Sequence, residues 1–466
     1  MIAMTAAEIA QIVNGSLTEL SPDALITEIP CIDSRKATTA NFFVAFKGEI
    51  SDGNDFAESA IQNGARFALV TRPISGPSIL VADVGQALID LTRASRLKMK
   101  TCKVIGITGS QGKTTTKDFL NHLLSSVGIT VAPVGNLNNE IGVPLTLLSC
   151  NEETNFCVLE MGARHMGDIA KLVEVARPDI GVVLNVGRAH LGEFGSRSNI
   201  AKTKGEMITS LLPGTIAVLG NYDEFTRAMA ATTSNKVLNF GERSDCDVRA
   251  TDVELREGRA HFDLVTPEGR QAVGLQLLGL HQVSNALAAA AVATALGIPI
   301  ETIAAALSTA TASSKWRMEL HEVGGLLLIN DAYNASPDSM AAALRTLALL
   351  SQERGGLSWA FLGKMNELGE SAGAEHEAIG RLVSEIGIDH LVQVGTKAFW
   401  QNEEKSEDRE DLGETTTMHH FDSVTLASAL ATNFSAGDVV LVKASRSEKL
   451  EELAEQLLTV WKERIA

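Results

Sequence analysis

Thr108-Gly109-Ser110-Gln111-Gly112-Lys113-Thr114-Thr115 follows a short β-branched stretch, Val104 to Ile107, and runs into a segment that reads as a helix. A glycine turn of this kind aims backbone N–H groups at phosphate oxygens, and the helix N-terminus behind it favours negative charge. Lys113 can reach β- and γ-phosphates, and the Thr114 hydroxyl is a hard oxygen suited to Mg²⁺. The chain therefore reads as an ATP-using enzyme. Its loop departs from the full Walker pattern, because Ile107 stands where the first glycine would be and the turn opens at Gly109.

Other residues with chemical potential fall where strands end. Glu160 closes the apolar stretch Phe156 to Leu159 and precedes Met161-Gly162, a position from which a carboxylate can ligate nucleotide-bound Mg²⁺. His190 lies in Asn185-Val186-Gly187-Arg188-Ala189-His190-Leu191-Gly192 and could bind a second metal ion, take a proton, or simply pack. Lys202 and Lys204 fall at the start of a helix just beyond it, where lysines by default face water. In Gly279-Leu280-His281-Gln282-Val283-Ser284-Asn285, Ser284 reads as a helix N-cap, and Asn285 is as well suited to packing as to nucleotide contact.

The elements that must position these groups alternate between strand and helix, the pattern of α/β domains with mainly parallel sheets. A chain of 466 residues suggests about three domains at ~100–200 residues each. The first, residues 1–99, starts with a helix from Ala6 to Val13, has a strand at Asn41 to Phe46, and ends in a basic helix from Leu91 to Lys100. The second, 100–312, carries the phosphate loop, strands at Phe156 to Glu160, Ile180 to Val186 and Ile216 to Leu219, and an alanine-rich helix from Ser284 to Leu296 stopped by Gly297-Ile298-Pro299. The third, 313–466, has strands at Leu326 to Asn330, Trp359 to Leu362, Leu391 to Val394 and Val439 to Lys443, and reads as Rossmann-like. Gln401 to Thr417 is charged and aperiodic and reads as a mobile surface loop.

Composition narrows the class. A net charge of −17 without a long basic run argues against nucleic acid or anionic membrane as the main partner. The start of the chain lacks the pattern of an export signal, and no long apolar stretch suits a membrane span, so a cytoplasmic protein is expected. Cys31, Cys102, Cys150, Cys157 and Cys246 show no paired metal-ligand spacing and read as buried small hydrophobes.

Taken together, the motifs resemble one family over nearly the whole chain. The phosphate loop is similar to T-G-x-x-G-K-[ST]-[ST]; Gly135 to Pro144 to G-N-x-N-N-x-I-G-x-P; Asn185 to Ser196 to N-[IV]-G-x-A-H-[LM]-x-x-[FL]-G-S; and Asn330 to Met340 to D-D-x-Y-N-A-N-P-x-S-[ML]. Asp33-Ser34-Arg35 and Phe43 to Gly48 resemble the D-S-R and F-V-A-[LF]-K-G of a UDP-binding domain. This is the pattern of the Mur ligases, most closely the MurF branch. Gln282, Asn330, Ser336 and Lys364 depart from it, standing where Asn, Asp, Asn and Asp are usual.

The resemblance implies an N-terminal UDP-substrate-binding α/β domain, a central ATPase domain and a C-terminal Rossmann-like domain. It implies ligation of D-alanyl-D-alanine to UDP-N-acetylmuramoyl-tripeptide through an acyl phosphate, with ATP and Mg²⁺, by a monomer. Gly109, Ser110, Gln111, Gly112, Lys113, Thr114 and Thr115 would hold the phosphates, while Asn285, Arg317 and Asp331 would contact ATP where the last two domains close. Lys113, Glu160, His190 and Lys204 would form the catalytic and metal-binding set, with Lys204 carbamylated and Lys202 as the alternative. Ser34, Arg35, Lys47, Gly48, Asn138, Asn139, Tyr333, Asn334 and Arg446 would handle the substrates. Another amide ligase of the same superfamily, such as a folylpolyglutamate synthetase, would share the ATP site but lack the Tyr333-Asn334-Ala335 and Asn138-Asn139 runs.

Overall fold

The computed structural model describes residues 1–135, 137–189, 191–311, 314–400 and 416–466. His190, the expected boundary at 312 and 313, and all but the last two residues of the 401–417 segment lie outside that description. The described residues build three sheets of five, nine and six strands, with a two-stranded pair near the start of the chain.

The five-stranded sheet is parallel from Ile29–Cys31 through Asn41–Val44 and Ala68–Val70 to Ser78–Leu80, with Ser16–Thr18 added antiparallel. The basic helix expected from Leu91 is longer, Val84–Lys98, because Asp83 caps it by accepting from Gln86 N and its apolar face begins at Val84. This helix ties the first domain to the second: Arg96 bonds Asp179 at 2.9 Å. In return Leu145 and Leu148 of the second domain pack into the core built on Phe42, Phe67 and Leu88.

The nine-stranded sheet places the phosphate-loop strand Lys103–Thr108 between Phe156–Glu160 and Ile180–Val183, all parallel. The second of these ends three residues before the expected Val186, since the chain must leave the sheet to meet the phosphate loop. At the far edge are three strands that the motif reading overlooked, Val248–Arg256, Arg259–Thr266 and Gly269–Leu278. Arg259–Thr266 alternates half-buried and buried positions, and the turn before it has φ 51° at Glu257 and 68° at Gly258, the positive pair that a tight hairpin requires. The alanine-rich helix is Gln282–Ala295 and fills the core between this hairpin and the phosphate-loop helix.

The six-stranded sheet runs Glu319–Val323, Leu326–Asn330, Val439–Lys443, Ser358–Leu362, His390–Val394, Thr417–Phe421, antiparallel only at its first pair. Thr417, placed in a loop by the sequence reading, opens the last of these strands. Among the cysteines four are buried, while Cys31 is half-buried. Among the described residues no helix is long and apolar enough to cross a membrane.

Candidate active site

Ligands of open parallel sheets sit beyond the carboxyl ends of the strands, and here three such ends meet. The phosphate loop is braced by its neighbour: Ser110 N donates to the Asn185 carbonyl at 3.1 Å, Gln111 N to Asn185 Oδ1 at 3.1 Å, and Gly187 N to Ser110 Oγ at 2.9 Å. Gly112 closes the turn at φ +80°, and a Cβ there would collide with Asn285 Oδ1. Only glycine serves both requirements. Lys113 and Thr115 are half-buried on the first turn of helix Lys113–Ser125, and Lys113 Nζ reaches back to the Gly109 carbonyl at 2.7 Å.

Glu160 is the centre of the polar network. Its buried carboxylate accepts from Thr114 Oγ1 at 2.8 Å on one oxygen and from Asn138 Nδ2 at 2.9 Å on the other. Asn139, the next residue along, is occupied otherwise, its Oδ1 accepting from Gly142 N at 2.9 Å at the start of helix Gly142–Leu147.

The two candidate lysines of helix Arg197–Thr209 part company. Two residues on a helix are about 200° apart, so Lys204 is buried and Lys202 is exposed. Loss of hydration, reinforced by the charge of Lys113, pushes the Lys204 amine down to about 7. Lys113 is also shifted downwards, first by burial. The site thus holds Lys204 close to the point where a free amine and an ammonium coexist at neutral pH.

Ser284 is not the N-cap of its helix. That position is His281, and Ser284 Oγ instead donates to the His281 carbonyl at 2.9 Å. Asn285 is oriented by its neighbours: its Nδ2 donates to Gln282 Oε1 at 2.8 Å, and Gln282 Nε2 meets His281 Nε2 at 3.1 Å. Burial holds His281 down to about 4, so its ring is neutral near pH 7 and its Nε2 can accept from the Gln282 amide. Gln282 therefore does structural work that leaves Asn285 Oδ1 against the phosphate loop.

The C-terminal candidates gather on one face. Arg317 stacks on Tyr333 with its guanidinium 3.9 Å from the ring centre, and Arg446 lies 4.3 Å from the ring centre of Trp316 while pairing with Glu451. Trp316 and Met318, on either side of Arg317, have φ of 59° and 51°. Such strain costs about 1–3 kcal/mol per residue and is held only by surrounding contacts. Two of them are Tyr333 N donating to the Trp316 carbonyl at 3.0 Å and Met318 N donating to Asp331 Oδ1 at 3.1 Å. The other Asp331 oxygen pairs with buried Lys443 at 2.6 Å, and Lys443 also donates to the carbonyl of exposed Asn334 at 2.8 Å. Ser34, Arg35, Lys47 and Gly48 stand apart on the N-terminal domain. There Asp33 grips Arg35 through two 2.9 Å bonds, Ser34 is buried, and Gly48 N donates to the Ser51 carbonyl at 2.8 Å across the turn that follows Lys47.

The Mur ligase middle domain model matches residues 107–293, and the model of the Mur ligase glutamate ligase domain matches 316–446. The chain is 40% identical over 502 residues to the UDP-N-acetylmuramoyl-tripeptide--D-alanyl-D-alanine ligase of Mycobacterium tuberculosis, covering 98% of each. The chain belongs to the Mur ligase family. MurF from Acinetobacter baumannii superposes with a TM-score of 0.87 at 35% identity, over 98% of this chain and 99% of that one. MurF ligase from Thermotoga maritima, solved in complex with ADP, gives 0.78 at 30% identity, over 94% and 98%. Sequence reasoning about this Mur ligase overlooked the part Lys443 plays beside Asp331, and it passed over Asp338 and Glu375. The first is an unusually polar end to an otherwise apolar strand, Val439–Lys443, which is the signal that could have found it.

Proposed function

We propose that the chain joins D-alanyl-D-alanine to UDP-N-acetylmuramoyl-tripeptide at the expense of ATP, forming UDP-N-acetylmuramoyl-pentapeptide, ADP and phosphate in peptidoglycan synthesis. The observation that carries the reading is the convergence of Lys113, Thr114, Glu160 and Lys204 at the strand ends of a full-length Mur ligase fold. A carboxylate is a poor acylating agent. Transfer of the γ-phosphoryl group to the peptide carboxylate supplies a leaving group, the dipeptide amine then attacks the acyl carbon, and phosphate departs as the amide forms.

The chain's residues fit the demands of positioning and charge neutralisation that phosphoryl transfer makes. Lys113 exchanges the Gly109 carbonyl for phosphate oxygens. The adjacent Thr114 hydroxyl and Glu160 carboxylate form the hard-oxygen pair that Mg²⁺ prefers, so the donor set fits that ion. When bound, Mg²⁺ supplies charge neutralisation at the triphosphate. Lys204 would serve as a carbamate, an anionic oxygen donor in place of a cation, and an amine held near 7 has the free base that carbamate formation requires. His190 joins this set in the same reading. Asn285, Arg317 and Asp331 contact ATP, Tyr333, Asn334 and Arg446 face the dipeptide, and the residues 34, 35, 47 and 48 hold the UDP end. Closure of the third domain keeps water from the acyl phosphate.

The test is phosphate release by the purified protein with Mg-ATP and UDP-N-acetylmuramoyl-tripeptide, with and without D-alanyl-D-alanine, followed by product mass. Ligated product that requires the dipeptide supports the proposal. Turnover with a single amino acid in its place moves the chain to another branch of the family.

A further inference from the structure

One long helix of the C-terminal domain, Pro337–Arg354, lies against the central domain at both ends, and the two ends behave differently. The far half is anchored by apolar packing: Leu278 of the central domain shares a core with Leu347 and Leu350, and Thr346 lies against Gly279. The near end is polar. Ser336 and Ser339 form a capping box there, with Ser339 Oγ accepting from Ser336 N at 2.9 Å, and Pro337 occupies the first turn. From this rigid start Asp338 projects onto the phosphate loop. Its Oδ2 accepts from Gln111 Nε2 at 3.0 Å and from Arg188 N at 3.2 Å.

Arg188 is held a second time by the same domain, its Nη1 lying 3.0 Å from a Glu375 oxygen. Four residues on, Gly192 N donates to the Glu367 carbonyl at 3.0 Å, and a Cβ on Gly192 would collide with Gly369. Arg188 beyond the strand end and Gly192 on the short helix Leu191–Phe194 are thus both held by the C-terminal domain, while Gly187 braces the phosphate loop through Ser110.

We infer that Asp338 and the Arg188–Glu375 pair are positioning residues, a polar latch that sets the phosphate loop and the Gly187–Arg188 strand end in register with the C-terminal domain for the ligase reaction proposed above. Exposed polar contacts contribute little stability, about 0–1 kcal/mol each. Their placement at the polar end of a helix whose other half is anchored by apolar packing gives them large positional leverage. A misplacement of about 1 Å at a reacting centre can cost ~10²-fold in rate.

Three variants test the latch in the full-length protein. Asp338→Ala removes the acceptor, Asp338→Asn keeps an acceptor oxygen, and Glu375→Arg reverses one charge, to be repaired by the double variant Arg188→Glu with Glu375→Arg. We expect Asp338→Ala and Glu375→Arg to lower kcat about 10- to 100-fold with unchanged thermal midpoint. Asp338→Asn and the double variant recover most of the rate. Small-angle scattering with ADP and the UDP-linked tripeptide shows compaction in the wild type that is weakened in Asp338→Ala. Wild-type kcat and compaction in Asp338→Ala, a rate loss matched by a lower thermal midpoint, or no recovery in the conservative and double variants would each overturn the inference. A wild-type protein that fails to ligate the dipeptide sinks the ligase reading instead; scattering of the wild type and Asp338→Ala with ADP alone then decides the latch, identical profiles overturning it.

Discussion

The central and C-terminal halves of the site solve the same problem of holding polar groups out of water in opposite ways. In the central domain Thr114 and Asn138 both bond Glu160 and leave the phosphate loop facing outward, with Lys113 tethered to the nearby Gly109 carbonyl. That half is arranged around a ligand. In the C-terminal domain the same residue types satisfy one another: Asp331 with Lys443, Arg446 with Glu451, Arg317 on Tyr333. To serve a nucleotide or dipeptide, those groups must exchange partners, and a ligand can drive that exchange only by the difference in its affinity for the two arrangements. The contrast teaches that the first half is built for chemistry and the second for conditional engagement.

If that is right, substitutions in the C-terminal network register as stability and those in the central site as turnover. The largest effect is expected from Asp331→Ala, which leaves the buried ammonium of Lys443 its bond to the Asn334 carbonyl but removes its charge partner, at a cost of about 3–5 kcal/mol measured by urea unfolding. An unfolding curve like that of the wild type would break the comparison. Next, Glu160→Gln should lower kcat by ~10²–10³-fold, the usual worth of one preorganised electrostatic group, while the thermal midpoint stays put because Thr114 and Asn138 can rebond the amide.

The pH behaviour of Lys204 sharpens the picture at intermediate size. With its amine near 7, the free-base fraction rises from about a tenth at pH 6 to about nine-tenths at pH 8. Carbamate on Lys204, read by carbon NMR with labelled bicarbonate, should climb across that window and be absent from Lys204→Ala but present in Lys202→Ala. The sign for stability follows from the same shift. The native state gives up this proton near 7 and the unfolded chain near 10.5, so the group's contribution is greatest above the unfolded value and is lost as pH falls towards 7. The smallest effect belongs to Gln282→Ala. Losing the bond that orients Asn285 should raise KM for ATP by roughly 2- to 10-fold, equivalent to about 0.5–1.5 kcal/mol, with little change in kcat.

What was legible in the sequence follows physical range. The phosphate loop is one continuous segment whose turn, glycine and lysine act on neighbours, so its chemistry could be read residue by residue. Strands such as Phe156–Glu160 and Val439–Lys443 announced themselves as apolar runs. The hairpin strands from Val248 to Leu278 were legible through their alternation but sit in a region without chemical motifs, and Ser284 misled because a serine near a helix start can bond backward as readily as cap.

By itself the sequence determined the α/β class, the nucleotide loop and the family likeness, because local propensity, periodicity and contiguous motifs need no distant partner. Only the tertiary structure decided which of Lys202 and Lys204 faces the site, since a helix can present either face until something packs against it. It alone paired Asp331 with Lys443 across 112 positions and brought Asp338 to Gln111 across 227, for contacts between chain segments so far apart depend on how the domains pack, which no local pattern encodes.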